Sequence, residues 1–467
     1  MRWTRLCVTG DWHRPWVTVP TSSGWAAPCP NKTYVLDNAE SHPWISFTFN
    51  LKRLTETDFV HVGEALSKCD HIAGVPLPPD VAQTLHMIYL IKGIHATTQI
   101  EGNSLSEDEV RARVKGDLLL PESQEYLGKE VDNILAACNL VAEELASGHD
   151  MRLTRARIEQ FNKMVLAELP TSEGVVPGQI RTKGAGAGNV YLSAPAGDCE
   201  FLLDELCDWL EQLMEDAGPE WQRAIGVIRA ILAHLYLAWI HPFGDGNGRT
   251  ARLVEFQLLL EAGFPSPACH LLSNYYNRTR HRYYITLQET SQGPDYPAWR
   301  FVSYALQGFI EELREQLAVI QSSQLGTVWV NFVHAAHLGQ SAPTARRRRD
   351  LALALPGDMT QLTPISALTR LTPDLAAHYA GKTPKTLTRD INALKEAGLI
   401  VRQGSAIRPF LERLFAFLPL RKPEPPNPPE PGSERGLLTT LAAASVPITP
   451  TDVRIGDDQQ REASSAK

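Results

Sequence analysis

Residues 241–252 read HPFGDGNGRTAR, and nearly every side chain in that stretch has a chemical use. His241 carries the one side chain whose ordinary pKa suits a general base near neutral pH. Asp245 offers the hard carboxylate oxygens that Mg2+ prefers, and Mg2+ commonly bridges to substrate phosphates. Gly246 and Gly248 permit positive φ and close backbone approach, and a helix starts at about Gly248. The start of a helix presents unpaired N–H groups and the positive end of its dipole, an anion seat. Asn247 adds a side-chain donor. Arg249 and Arg252, three apart, share one helix face and can grip neighbouring phosphates. These are the parts of a site for an Mg-bound polyphosphate beside a base. No GK[ST] follows the glycines, so the stretch is not a P-loop. The plainer alternative is a capped turn between two helices with a core histidine.

The flanking segments decide how such a loop is held. EWQRAIGVIRAILAHLYLAWI before it and LVEFQLLLEAG after it are apolar at helical spacing, which predicts two buried helices with a rigid polar loop between them. Helical periodicity also marks residues 55–70, 78–103, 124–146, 154–169 and 200–216. A further helix, SEDEVRARVKG, starts from an N-cap at Ser106 or Ser104 with acidic residues in its first turn. Two more follow at HRYYITLQETS and PAWRFVSYALQGFIEELREQLAVIQ. From 177 to 197 the pattern breaks into glycines and a short β-prone piece, NVYL, a hairpin signal. WISFTFNL near the N-terminus reads as an edge strand.

Position for position, the loop resembles the signature HxFx[DE]GNGRxxR of the Fic family. His241, Phe243, Asp245, Gly246, Asn247, Gly248, Arg249 and Arg252 all match. The resemblance covers about residues 50–320. It implies a helical nucleotidyltransferase that moves AMP from ATP to a Ser, Thr or Tyr hydroxyl of a protein, possessing Mg2+ as cofactor. On that model His241 takes the hydroxyl proton and Asp245 holds Mg2+ against the α- and β-phosphates. Asn247 and the amides of Gly246 and Gly248 hold the α-phosphate. Arg249 and Arg252 hold the β- and γ-phosphates, while Phe243, grouped with the nucleotide-binding residues, turns into the core to fix the loop. Such chemistry is positioning plus electrostatics.

TTQIEGN, residues 97–103, resembles the family's inhibitory motif [ST]xxxE[GN], filled by Thr97, Glu101 and Gly102. The resemblance implies that Glu101 pairs with Arg252 and withholds it from the γ-phosphate. It leaves room for AMP removal as a net reaction, with Glu101 positioning a water. The glycine-rich hairpin stands where the family docks its target by strand addition, with Arg181, Val190 and Tyr191 as the candidate contacts. A plain connecting hairpin is the alternative. Asn277, Tyr283 and Tyr284 resemble the family's adenine-side residues, with aromatic core packing as the alternative for each tyrosine.

Near residue 340 a second module begins. TPDLAAHYAGKTPKTLTRDINALKEAGLIVRQG reads as helix, tight turn, helix and strand, the pattern of a winged helix-turn-helix. Leu387, Ile391 and Leu394 recur at i, i+4 and i+7 and should pack inward, leaving Lys385, Thr388, Arg389 and Asn392 as candidate DNA contacts. Gly398 is placed to end the second helix. A module used only for protein contacts is the alternative. ARRRRD, with Arg346–Arg349, either adds phosphate contacts or is a solvated run.

The expected fold class is therefore mainly α: a Fic-type helical bundle with a small β-hairpin flap, followed by a winged helix-turn-helix domain. The boundaries read as an irregular segment at 1–45, helices including the inhibitory motif at 46–115, the core at 116–325, the winged helix at 340–420, and a Pro-rich tail at 421–467. The 467 residues are too many for one ordinary domain. A net charge of −8 argues against whole-chain nucleic-acid binding while leaving room for a local basic face. Seven cysteines without CxxC spacing suggest reduced thiols. With no signal-peptide pattern and no apolar run beyond AILAHLYLAWI, the expectation is a soluble, cytoplasmic protein without a membrane partner. A homodimer is the candidate assembly. Transfer of another phosphate-linked group, and a nucleotide-sensing DNA-binding regulator, are the alternative functions.

Overall fold

The computed structural model describes residues 42–184, 193–293, 295–357 and 361–415. It is mainly helical. In the first of two compact units, residues 1–317, lie α1 (Glu56–Gly74), α2 (Pro79–Ile100), α3 (Glu107–Lys115), α4 (Glu125–Ala146), α5 (Arg155–Val165), α6 (Cys199–Glu215), α7 (Gln222–Ile240), α8 (Asn247–Glu261), α9 (Ser266–Cys269), α10 (Leu271–Arg278) and α11 (Arg280–Gln292). Helix α12 (Ala298–Ala336) runs from this unit into the second, residues 318–467. The second holds α13 (Pro343–Leu353), α14 (Pro373–Tyr379), α15 (Pro384–Glu396) and strands β1 (Thr363–Pro364), β2 (Ile400–Gln403) and β3 (Ala406–Pro409).

Local chemistry sets the helix starts. Thr55 and Asp58 form a reciprocal capping box at α1, and Ser106 forms one with Glu109 at α3, so Ser106 rather than Ser104 is the cap. The centre of the first unit is α7 packed along α8, with α4 and α5 against α8 and α2 against α10. Helix α7 is buried from Gly226 through Ile240. By length and composition it is long and apolar enough to cross a membrane, yet here it is the core helix. The eleven-residue apolar run was only its second half. Its first half tolerates Arg229 in the interior because Glu261 at 2.9 Å and Glu211 at 3.4 Å neutralise the charge. A close helix approach is visible at Gly226, where a Cβ would lie 2.6 Å from that of Ala262.

The edge strand expected at WISFTFNL is absent. Trp44, Phe47 and Phe49 are buried and Ser46 and Thr48 exposed, so the alternation is real, but residues 44–50 form no strand. Phe47 instead stacks on Tyr236 and tilts against Trp209. The NVYL hairpin lies outside the described residues.

In the second unit the sheet order is β1-β3-β2, antiparallel, with Gln403 opposite Ala406 around a turn at Gly404. Ile391 and Leu394 of α15 are buried beside Leu351, Leu375 and Ile407, and Leu387 packs at the edge of that core. Gly398, at φ 68°, ends α15. The core also takes Trp329 and Val333 from α12, which explains why α12 runs on past Gln321, where its expected pattern stopped. The arginine run of α13 is mostly paired. Arg347 and Arg348 donate to buried Asp390 at 2.7 and 2.8 Å, joined by the Tyr379 hydroxyl at 3.1 Å. Arg349 pairs with Asp350 at 3.1 Å, so the run is neither a free phosphate grip nor a bare solvated one.

Candidate active site

Helix α7 ends at His241, whose backbone is left-handed at φ 50° and ψ 56°. Residues 242–246 turn the chain, and Gly246, at φ 74°, caps the start of α8. The loop is held by its own polar groups. Asn247 Oδ1 accepts from the Phe243 N–H at 2.9 Å while its Nδ2 donates to the Phe243 carbonyl at 2.8 Å. That amide was expected on a phosphate; here it braces the loop, since its acceptor and a donor both face Phe243. Phe243 itself is 1% exposed and pairs in an antiparallel bridge with Ile180.

Two residues hold the loop from outside, and only one was expected near it. Asn162, fully buried on α5, donates to the Asp245 carbonyl at 2.9 Å and accepts from the Gly178 N–H at 2.9 Å. Sequence reasoning passed over it. The available signal was an amide on the inward face of α5, among Ile158, Phe161 and Val165. Arg181, expected to dock a target, is also buried, and its guanidinium donates to the His241 carbonyl at 2.8 Å and the Lys183 carbonyl at 2.9 Å. Val190 and Tyr191, the other two flap residues, lie outside the described residues.

The His241 imidazole is held to about 4, first by burial, which disfavours the charged form, and then by the Arg181 cation. At neutral pH it is an uncharged ring able to accept a proton. Asp245 keeps a half-exposed carboxylate that accepts from the Gly246 N–H at 2.5 Å and from Arg249 at 3.3 Å. Arg249 is 5% exposed and also donates to Glu130 Oε1 at 2.7 Å; Glu130 in turn accepts from Asn103 Nδ2 at 2.8 Å. Glu130 and Asn103 were also missed. Among the described residues no group of three or more His, Cys, Asp or Glu side chains is placed to hold a metal.

The TTQIEGN segment meets this loop. Glu101 caps α2, and its Oε1 lies 2.5 Å from Arg252 Nη2; the same guanidinium donates to the Thr97 carbonyl at 3.1 Å. Burial alone would raise the Glu101 carboxyl, but the Arg252 cation outweighs it and holds the group below the usual carboxylate range. A Cβ on Gly248 would stand 2.1 Å from Glu101 Oε1, so glycine at 248 is what lets the carboxylate sit over the start of α8. Gly102, at φ 101°, lets the chain leave α2 directly after Glu101. Arg252 is 2% exposed, and its Nε and Nη1, with Arg249 Nε, are buried donors lacking a hydrogen-bond partner among the described residues. Unsatisfied buried donors of this kind suit an anionic ligand.

The three adenine-side candidates separate. Tyr283 is core: it is 3% exposed, its hydroxyl pairs with His234 Nε2 at 2.9 Å, and its ring packs on Tyr276. Asn277 donates to Gln99 Oε1 at 2.5 Å, and the Tyr284 hydroxyl reaches the Ile100 carbonyl at 3.5 Å, so both face the last turn of α2. Lys385, Thr388, Arg389 and Asn392 are all exposed on α15 in the second unit.

The helical core thus presents a histidine, the N-terminus of α8 and two arginines around one loop. Residues 152–259 match the Fic/DOC family. The chain is 29% identical over 215 residues to protein adenylyltransferase fic-1 of Caenorhabditis briggsae, covering 45% of this chain and 38% of the relative. It is 31% identical over 210 residues to protein adenylyltransferase Fic of Nematostella vectensis, covering 45% of each. The chain thus spans less than half the length of these curated relatives. Among solved structures, a Fic family protein from Desulfovibrio desulfuricans G20 aligns with TM-score 0.47 and 20% identity, over 76% of this chain and 96% of that one. A fragment of Fic-1 from Caenorhabditis elegans aligns with TM-score 0.46 and 23% identity, over 57% and 74%.

Proposed function

We propose that the chain is a protein adenylyltransferase that moves AMP from ATP to a protein hydroxyl with release of pyrophosphate, and that Glu101 restrains it. The observation that carries this reading is the placement of His241, the α8 N-terminus, Arg249 and Arg252 in one braced loop, with the Glu101 carboxylate seated on Arg252. His241, uncharged at neutral pH, takes the proton of the attacking hydroxyl. The Gly248 region and the open donors of Arg252 and Arg249 bind the phosphates. Asp245 would hold Mg2+, which neutralises phosphate charge when bound; a single half-exposed carboxylate fits an ion that takes most of its ligands from the nucleotide and water. Asn247, Asn162 and Arg181 keep the loop rigid, so little reorganisation accompanies charge build-up.

Glu101 opposes this in two ways. It occupies the guanidinium that a terminal phosphate needs, and it sets a negative charge where that phosphate would sit. Relief requires only that the carboxylate leave Arg252. An ionised carboxylate beside the loop also suits water activation, which keeps AMP removal as the second reading. The exposed Lys385, Thr388, Arg389 and Asn392 of α15, followed by the β2–β3 hairpin with exposed Arg402 on β2, support duplex DNA as a ligand of the second unit. The test of the catalytic assignment is His241→Ala in a Glu101→Gly background. ATP affinity should stay within about two-fold while AMP transfer is lost; persistent transfer would remove the general-base role.

A further inference from the structure

We propose that Arg181 is a positioning residue for His241, locking the C-terminal end of α7 to the chain on either side of residues 185–192 through one guanidinium. The inference rests on the reading of His241 as the general base. Arg181 is 8% exposed. Its Nε donates to the His241 carbonyl at 2.8 Å and its Nη1 to the Lys183 carbonyl at 2.9 Å. Its Nη2 meets the Ala194 carbonyl and, at 3.5 Å, that of Ile240. Its backbone N–H donates to the Pro242 carbonyl at 2.9 Å, beside the Ile180–Phe243 bridge. Among the described residues no carboxylate pairs with it.

The carbonyls of Ile240 and His241 belong to the end of α7, where a helix leaves its last acceptors unpaired and carries its negative dipole end. A cation there satisfies both. The need is specific, because His241 is held at φ 50°, a conformation that side-chain-bearing residues rarely adopt. Its N–H is fixed to the Leu237 carbonyl at 3.0 Å, and its own carbonyl is fixed by Arg181. Arg181 therefore determines where the imidazole is presented. It also places a positive charge near the ring. The charged groups acting on His241 are Arg181, which disfavours the imidazolium, and Glu101 and Asp245, which favour it, together with a hydrogen bond involving Ala238.

Two variants of the full chain separate geometry from charge. Arg181→Gln removes both, and Arg181→Lys keeps the charge but cannot reach four carbonyls. The first measurement is NMR titration of the His241 ring, which needs no activity. Arg181→Gln should raise its titration midpoint by about one pH unit and Arg181→Lys by clearly less. The second is AMP transfer in the Glu101→Gly background. Arg181→Gln should lower kcat about 10- to 100-fold with ATP affinity within about two-fold, and Arg181→Lys should lie between. Identical His241 titration in all three proteins, or unchanged kcat in Arg181→Gln, overturns the inference. Should Glu101→Gly transfer no AMP, the transferase reading fails while the ring titration still decides the role of Arg181. If Arg181→Gln does not fold, Arg181→Lys carries both measurements.

Discussion

Replacing Asn162 with alanine removes the external brace of the 241–252 loop while leaving every residue of that loop in place. The amide is fully buried and makes hydrogen bonds to the Asp245 carbonyl at 2.9 Å, the Thr250 hydroxyl at 3.3 Å and the Gly178 N–H at 2.9 Å. Thr250 keeps a partner, since its hydroxyl donates to the Gly246 carbonyl at 2.8 Å. The Gly178 N–H and the Asp245 carbonyl lose theirs. A fully buried group left unsatisfied costs about 1–3 kcal/mol; both sites are only part-buried, so water can enter and the total lies toward the lower end, about 2–4 kcal/mol. For a unit of this size that is a fall in Tm of about 3–6 °C, read by calorimetry on the full chain. A loop displaced by about 1 Å would also lower AMP transfer about 100-fold in the Glu101→Gly background. A Tm within about 1 °C of the parent, with transfer intact, would refute the claim that α5 holds the loop.

The Glu101–Arg252 pair makes a pH prediction. The folded carboxyl is held below its ordinary value, so its contribution to stability is present above about pH 4.5 and is lost as pH falls through the folded value. The wild type should therefore lose Tm more steeply than Glu101→Gln between about pH 5 and pH 3, and parallel curves would discard the pairing. For the second unit, affinity for duplex DNA should fall steeply with salt, and Lys385→Ala or Arg389→Ala should each reduce the salt slope by about one. Binding that ignores salt, or none, would favour a protein-contact role for α15.

The sequence carried what is local and repeated. The loop, its flanking helices and the helix, turn, helix and strand of the second unit follow from spacings within a few residues, and those elements are observed. The Glu101–Arg252 pair joins residues 151 apart, and no periodicity relates them; the expectation came from the family resemblance. Asn162 acts on Asp245 across 83 positions, so its buried amide looked like any polar residue in a helix. Asn247 misled for the opposite reason. A short polar side chain at a helix start can turn back on its own loop as easily as outward, and here it bonds Phe243. Tyr283 and Tyr284 are adjacent, yet a helix turns about 100° per residue, which sends one ring into the core and the other toward α2. Arg181 was read as a surface contact because it precedes a glycine-rich stretch, whereas the unpaired carbonyls at the end of α7 draw it inward.

Whether removing one carboxylate releases transfer is the most direct test of the restraint by Glu101. Wild type and Glu101→Gly would be incubated with Mg-ATP and examined by intact mass. An added AMP mass is expected on Glu101→Gly, and little or none on wild type. Equal labelling of the two proteins would contradict the restraint, and no adduct on either, with a protein hydroxyl substrate also supplied, would contradict the transferase reading.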